Sequence, residues 1–164
     1  MMGDKKNLLM LFRNELHESV ETYRKSMEMQ KEFIEDSPGP MQSRYDSAMV
    51  EGQWLLSSMQ KNRDTLLKAL ACLDALLEMD EEACETVREG ALIVLRQKEN
   101  GRKNNYLLLE AAGGGGASVL YKGEKYMVIT AESPLGKALM GKKAGDEVEL
   151  RTSRLTRYAV ESVS

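Results

Sequence analysis

The sequence predicts an α+β protein, in which a long antiparallel α-helical hairpin (a coiled coil) over residues 1–80 is followed by a small antiparallel sheet domain with one helix over residues 81–164. Three observations predict it. Apolar residues recur every three or four positions through the first half, and this period breaks at Asp36-Ser37-Pro38-Gly39-Pro40. Beyond Asp80-Glu81-Glu82 it gives way to short apolar runs divided by glycine turns.

From Asp4 to about Glu35 there is no Gly or Pro, and Phe12, Leu16, Val20, Tyr23, Met27 and Ile34 fall on one stripe, with Gln30 in the remaining slot. At 1.5 Å rise per residue such a helix is roughly 45 Å long. Proline lacks an amide donor and glycine permits reversal, so the Pro-Gly-Pro stretch ends it. The period resumes through Tyr45, Met49, Gly52, Leu55, Met59, Asn62, Leu66, Leu70, Leu73 and Leu77. Two one-sided helices of this length bury their stripes most economically against each other. Asn62 stands at a seam position, either to fix register or as a tolerated irregularity. Trp54 and Met59 read as hairpin packing or as recognition residues, and the sequence does not separate the two.

In the second half Ala91–Leu95, Tyr106–Leu109, Ser118–Tyr121 and Tyr126–Ile129 are rich in β-branched and Tyr residues and read as strands. Gly113–Gly116 lacks the Lys-Ser/Thr pair and following helix of a phosphate cradle, and reads as a mobile hairpin loop. Ser133 caps a short helix with Pro134 in its first turn, Leu135, Leu139 and Met140 on its apolar face, and Gly141 at its end. Gly145-Asp146 turns into Val148-Glu149-Leu150, and Arg157–Val160 is the last strand.

Composition narrows the function classes. With 42% hydrophobic and 30% charged residues the chain suits a soluble fold. No apolar run approaches the ~20 residues of a membrane span, and the start lacks a signal peptide's apolar stretch, so a cytoplasmic location is expected. The net charge of −3 gives no reason to expect tight binding to free nucleic acid. Cys72 and Cys84 make neither a disulfide framework nor a CxxC site, and read as reduced and structural. His17, the only histidine, sits among Glu15, Glu18 and Glu21 and reads as a solvated helix residue. No metal held by this chain alone, and no cofactor, is expected.

The string Glu132-Ser133-Pro134-Leu135-Gly136-Lys137-Ala138-Leu139-Met140-Gly141-Lys142-Lys143-Ala144-Gly145-Asp146-Glu147-Val148-Glu149-Leu150 resembles the C-terminal signature of Gre-type (GreA/GreB) transcription factors almost residue for residue, and the layout of hairpin plus sheet is similar over nearly the whole chain. Tyr45–Gln53 is similar to the start of that family's second hairpin helix. The resemblance implies an FKBP-like C-terminal domain that docks on RNA polymerase and a hairpin that enters its secondary channel to regulate elongation. It implies a monomer in contact with nucleic acid only indirectly, within the transcription complex. The matching docking surface is Ser133, Pro134, Leu135, Gly136, Lys137, Leu139, Gly141, Lys142 and Lys143, with Arg151, Arg154 and Arg157 as further basic residues.

The tip departs from the family. In cleavage-competent members two acidic residues precede the tyrosine by about one and two helical turns and help hold the polymerase's magnesium; the corresponding places here are Pro38 and Met41. Neither offers a hard anionic ligand. Glu35 and Asp36 are the remaining tip acids, read either as ordinary solvated carboxylates or as a substitute catalytic pair. Three activities therefore stay open: regulation without RNA cleavage, transcript cleavage through Glu35 and Asp36 with the polymerase's magnesium, and a prolyl isomerase or chaperone. The last lacks support, since residues 81–164 hold no Trp or Phe to line a proline pocket. A plain coiled-coil adaptor is the fourth reading.

Overall fold

The structure is a computed structural model and describes residues 2–36, 43–79, 84–110, 116–151 and 153–164. Two long helices, α1 (Met2–Glu35) and α2 (Ser43–Glu78), pack against each other as the expected hairpin. Six strands follow, β1 (Leu92–Gln97), β2 (Lys103–Leu109), β3 (Ser118–Tyr121), β4 (Glu124–Thr130), β5 (Glu147–Arg151) and β6 (Leu155–Val163), with a short helix α3 (Pro134–Leu139) between β4 and β5. They form a single sheet in the order β3-β4-β2-β1-β6-β5.

The hairpin seam follows the α1 stripe as the sequence predicts, with Phe12 and Leu16 fully enclosed and Met27 buried, and Leu8 and Leu9 extend it. On α2 the register differs in part. Gly52, Met59, Leu66 and Leu73 lie on the seam as expected, but Met49, Leu55 and Asn62 are exposed, Leu56 and Arg63 are half-buried in place of the last two, and Ala69 joins the core. Both tracks step in threes and fours from Gly52 to Leu66, so periodicity alone does not choose between them. Gly52 faces α1: a Cβ there would lie 3.0 Å from Gln30 Nε2 and 3.4 Å from Ile34 Cγ1. Arg13 donates to Asp74 across the seam at 2.5 Å, a half-exposed pair worth at most about 1 kcal/mol.

β2 holds the molecule together. Residues 105–109 alternate between the sheet's faces, yet all are buried, because both faces are covered. On one face Leu107 and Leu109, with Val128 of β4, share a core with Leu8, Phe12 and Leu16 of α1 and Leu66, Ala69 and Leu73 of α2. On the other, Tyr106 and Leu108 join Ile93, Leu95, Val148, Val160 and Leu139 of α3. The hairpin base and the sheet thus share one core, while the distal hairpin projects beyond it.

The sheet departs from the all-antiparallel expectation in one pairing: β2 and β4 run parallel, Leu107 opposite Val128. The segment holding the glycine run is therefore not a hairpin loop, since β4 lies between β2 and β3. Gly113–Gly115, Ser37–Gln42 and the acidic joint at Asp80–Glu82 fall outside the described residues. β3 pairs instead with β4 in a hairpin closed by Lys122 (φ 51°) and Gly123 (φ 80°), both left-handed as a tight two-residue turn requires. Asp4 ties the start of α1 to this hairpin, accepting from Lys122 Nζ at 2.7 Å and Tyr121 OH at 2.9 Å.

Leu107→Ala removes a side chain with no solvent exposure from the core shared by hairpin and sheet. Denaturant unfolding followed by helical and aromatic signals is expected to give a loss of about 3–5 kcal/mol in both together. Loss from one signal alone would contradict a shared core.

A second expectation concerns Asp4. The Lys122 ammonium, then the Tyr121 hydroxyl, hold its carboxyl below the ordinary 3.8, while Asp4 raises the Lys122 ammonium above 10.5. Folding favours the ionised carboxylate, so its contribution is present above about pH 4 and is lost as pH falls further. Thermal unfolding of wild type and Asp4→Asn should differ at pH 6 and draw together as pH falls through and below the ordinary carboxylate range. A gap that ignores pH would dismiss the tether.

Candidate functional site

The short helix begins where β4 ends, and the sequence dictates the junction. Ser133 Oγ accepts from the Gly136 amide at 3.0 Å and donates to the Thr130 carbonyl at 2.7 Å, so one hydroxyl caps the helix and fastens it to the strand. Pro134 fills the first turn, where no amide partner is needed. Gly136 is obligatory by space: a Cβ would sit 1.9 Å from the Thr130 carbonyl oxygen. Leu139 is fully enclosed and Leu135 half-buried, both in the core beneath the helix.

The turn after the helix is equally structural. The Gly141 amide donates to Val87 O at 2.9 Å, and Lys142 O accepts from the Val87 amide at 2.7 Å, joining the segment to the chain before β1. Asp146 Oδ2 accepts from the Lys143 amide at 2.8 Å and closes the loop into β5. Of the predicted docking residues, Ser133, Gly136 and Leu139 therefore build the fold. Pro134, Lys137, Gly141 and Lys143 are exposed, Lys142 is partly so, and Met140 is 45% exposed.

These exposed groups lie on the face of the sheet opposite the hairpin base. Lys137, Lys142 and Lys143 have no ion-pair partner among the described residues. Arg157 is committed elsewhere: its Nε donates to Glu149 at 3.0 Å and its amide to Glu99 at 2.9 Å, a hydrogen bond that holds the Glu99 carboxyl below its ordinary value. Arg151 and Arg154 are exposed on β5 and the turn after it.

At the other end of the molecule, Glu35 closes α1 and Asp36 follows it; both side chains are exposed, without hydrogen-bond or ion-pair partners among the described residues. Pro38 and Met41 lie outside the described residues, and so does the Tyr45 side chain. The distal hairpin instead shows apolar side chains that periodicity did not single out. Met29 is 71%, Phe33 64%, Val50 65% and Trp54 75% exposed. Trp54 is thus not hairpin core. Met29 and Phe33, like Val50 and Trp54, are one turn apart, a pattern visible in the sequence once the seam position between them is known.

Residues 82–164 match the family model described as transcription elongation factor GreA/GreB, C-terminal. Among solved structures, GreA factor homolog 1 (Gfh1) of Thermus thermophilus is 18% identical over 93% of this chain and 94% of its own, with a TM-score of 0.38. Gfh1 of Thermus aquaticus is 18% identical over 92% of each chain, with a TM-score of 0.39. The GreA/GreB factor of Nitrosomonas europaea is 23% identical over 56% of this chain and 78% of its own, with a TM-score of 0.36. No curated protein matches the chain. No helix among the described residues is long and apolar enough to cross a membrane.

The junction at Gly136 is open to a direct test. Gly136→Ala must displace the Thr130 carbonyl or the helix, a cost of about 1–3 kcal/mol, whereas Lys137→Ala should stay within about 0.5 kcal/mol of wild type. Melting curves of the two variants check this. Equal stability would mean that α3 does not sit on β4 as described.

Proposed function

The chain belongs to the GreA/GreB transcription elongation factor family, and from that premise we propose that it binds RNA polymerase through the exposed side of α3 and inserts the distal hairpin into the enzyme's secondary channel to regulate elongation. The observation that carries this reading is the division of the molecule into a base held by a shared core and a projecting rod with exposed apolar side chains near its end. Met29, Phe33, Val50 and Trp54 contribute nothing to the fold's own core, and large exposed apolar groups close together mark contact surfaces. Lys137, Lys142 and Lys143 offer a cationic contact at the opposite face, suited to acidic side chains of a partner.

Regulation without RNA cleavage is the form this proposal takes. Promoting hydrolysis in a two-metal site requires carboxylates at fixed positions to hold the second ion and orient water. Glu35 and Asp36 are exposed and, among the described residues, without partners that would fix them, and Pro38 and Met41 replace the expected acids. The polymerase itself would supply any magnesium.

Capture of core polymerase by the intact chain tests the docking. Deleting the hairpin is unsuitable because Leu107, Leu109 and Val128 would lose their cover. Lys137→Glu with Lys143→Glu is expected to weaken capture at least about tenfold, the equivalent of 1.4 kcal/mol, with an unchanged melting temperature. Trp54→Ala with Phe33→Ala should retain capture but reduce the effect on elongation. Unaltered capture by the lysine variant would reject the docking face, and RNA shortening in stalled complexes that Asp36→Ala abolishes would replace regulation by cleavage.

A further inference from the structure

A cleft of about 400 Å³ opens where the base of the hairpin meets the sheet. Its apolar wall comes from Leu9 of α1 and Leu76 and Leu77 of α2. Three donor side chains from separate parts of the chain converge on it: Cys72 in the last turns of α2, Glu89 ahead of β1, and Glu110 just past β2. Their ligand atoms all lie within 4.8 Å of one another. Two carboxylates at this separation repel, a cost that Lys5, Lys6 and Arg88 in the same cleft offset in part and that a bound cation would offset further.

The donor types define the cation. A tetrahedral zinc ion with bonds of about 2.0–2.3 Å holds its ligand atoms about 3.3–3.8 Å apart, so this triangle needs a closure of roughly 1.5 Å at most. Glu89 and Glu110 are exposed and can supply it by rotamer change. A thiolate beside two carboxylates suits a borderline-soft ion and disfavours magnesium and calcium, which take oxygen alone. Cys84 lines the same cleft, 8% exposed, and its Sγ accepts from Arg88 Nε at 2.8 Å, but it is not one of the three converging donors. Lys5, Lys6 and Arg88 also face the cleft, and their positive charge holds the affinity below that of a closed structural zinc site.

We propose that Cys72, Glu89 and Glu110 form a site for a thiophilic divalent cation such as Zn²⁺, which clamps the base of the hairpin to the sheet. Binding replaces the thiol proton: Cys72–SH and Zn²⁺ give the zinc thiolate and a released H⁺, while the carboxylates bind ionised. Affinity therefore tightens as pH rises, until the thiol is deprotonated without the metal. The sequence gives no warning of this site, because positions 72, 89 and 110 follow no ligand spacing and meet only through the packing of α2 on the sheet.

Titration of the full chain with zinc, and with cobalt as an optical probe, tests the site independently of any polymerase contact. One equivalent is expected to bind in the micromolar range, with a thiolate-to-cobalt charge-transfer band. Cys72→Ser should abolish the band, and Glu89→Gln and Glu110→Gln should each weaken zinc at least about tenfold. Cys84→Ser should keep the band, and excess magnesium should not compete. The two glutamate variants alter exposed groups and keep the test open should Cys72→Ser not fold. The proposal is overturned by no zinc binding up to about 100 µM, by undiminished binding in the glutamate variants, or by a band that depends on Cys84 instead of Cys72.

Discussion

Everything in this fold depends on β2 being buried on both faces. A one-residue slip of a strand in that position exchanges its two faces, and in one direction it drives Asn105, with its polar side chain, into the place of Tyr106 on the opposite face. Its register is therefore fixed, and with it the place where α1 and α2 settle. Asn105 itself illustrates the constraint: it is 4% exposed, and its Nδ2 donates to Glu124 Oε2 at 3.1 Å and to the Lys125 carbonyl at 3.3 Å. Glu124 in turn accepts from Lys103, first among the causes that hold its carboxyl below the usual range. A polar cluster thus borders the shared core where the sheet is no longer covered by the hairpin.

The family signature acquires two meanings from this geometry. Ser133, Gly136, Leu139 and Asp146 answer to the fold: a cap, a close approach to a carbonyl, a core side chain and a loop closure. Any protein that laid a helix across this sheet in this way would need much the same residues. Lys137, Met140 and Lys143 are exposed and lack such an internal reason. The length of the signature therefore supports the fold more strongly than it supports docking, and the case for docking rests on the smaller, exposed subset.

Legibility in the sequence followed how local each signal was. Both helices, all six strands and the cap at Ser133 were readable because period, turn residues and caps act within a few positions. The α2 seam was readable at Gly52, Met59, Leu66, Leu70, Leu73 and Leu77 but not at Leu55 and Asn62. Leu55 and Leu56 are equally apolar, and the opposing surface of α1 with the space left at Gly52 decides which turns inward. Ala69 went unnoticed because its small side chain contributes little to a stripe, although it is fully enclosed. The parallel pairing of β2 with β4 was hidden for another reason: strand order is set by which hydrophobic faces need covering, and β3 and β4 read the same wherever they pair. At the hairpin's far end the acids Glu35 and Asp36 could be singled out by type and position, and the structure shows only that they are exposed, whereas the Cys72–Glu89–Glu110 convergence exists only in three dimensions.

A projecting hairpin imposes a mechanical requirement that explains where the structure concentrates its interactions. At 1.5 Å per residue α1 is about 50 Å long, so a rotation of a tenth of a radian at its base displaces the far end by about 5 Å. Such a displacement exceeds what a defined contact at the far end tolerates. Rigidity is needed at the base, and the fully enclosed Phe12, Leu73 and Leu107, the Asp4 tether and the donor triangle at Cys72 all lie there. The distal turns have only each other, with Gly52 allowing the two backbones to approach and side chains such as Trp54 left outward. Stability placed at the base and contact surface left at the far end is the arrangement a lever needs, and it follows from the distribution of buried side chains without reference to what the lever touches.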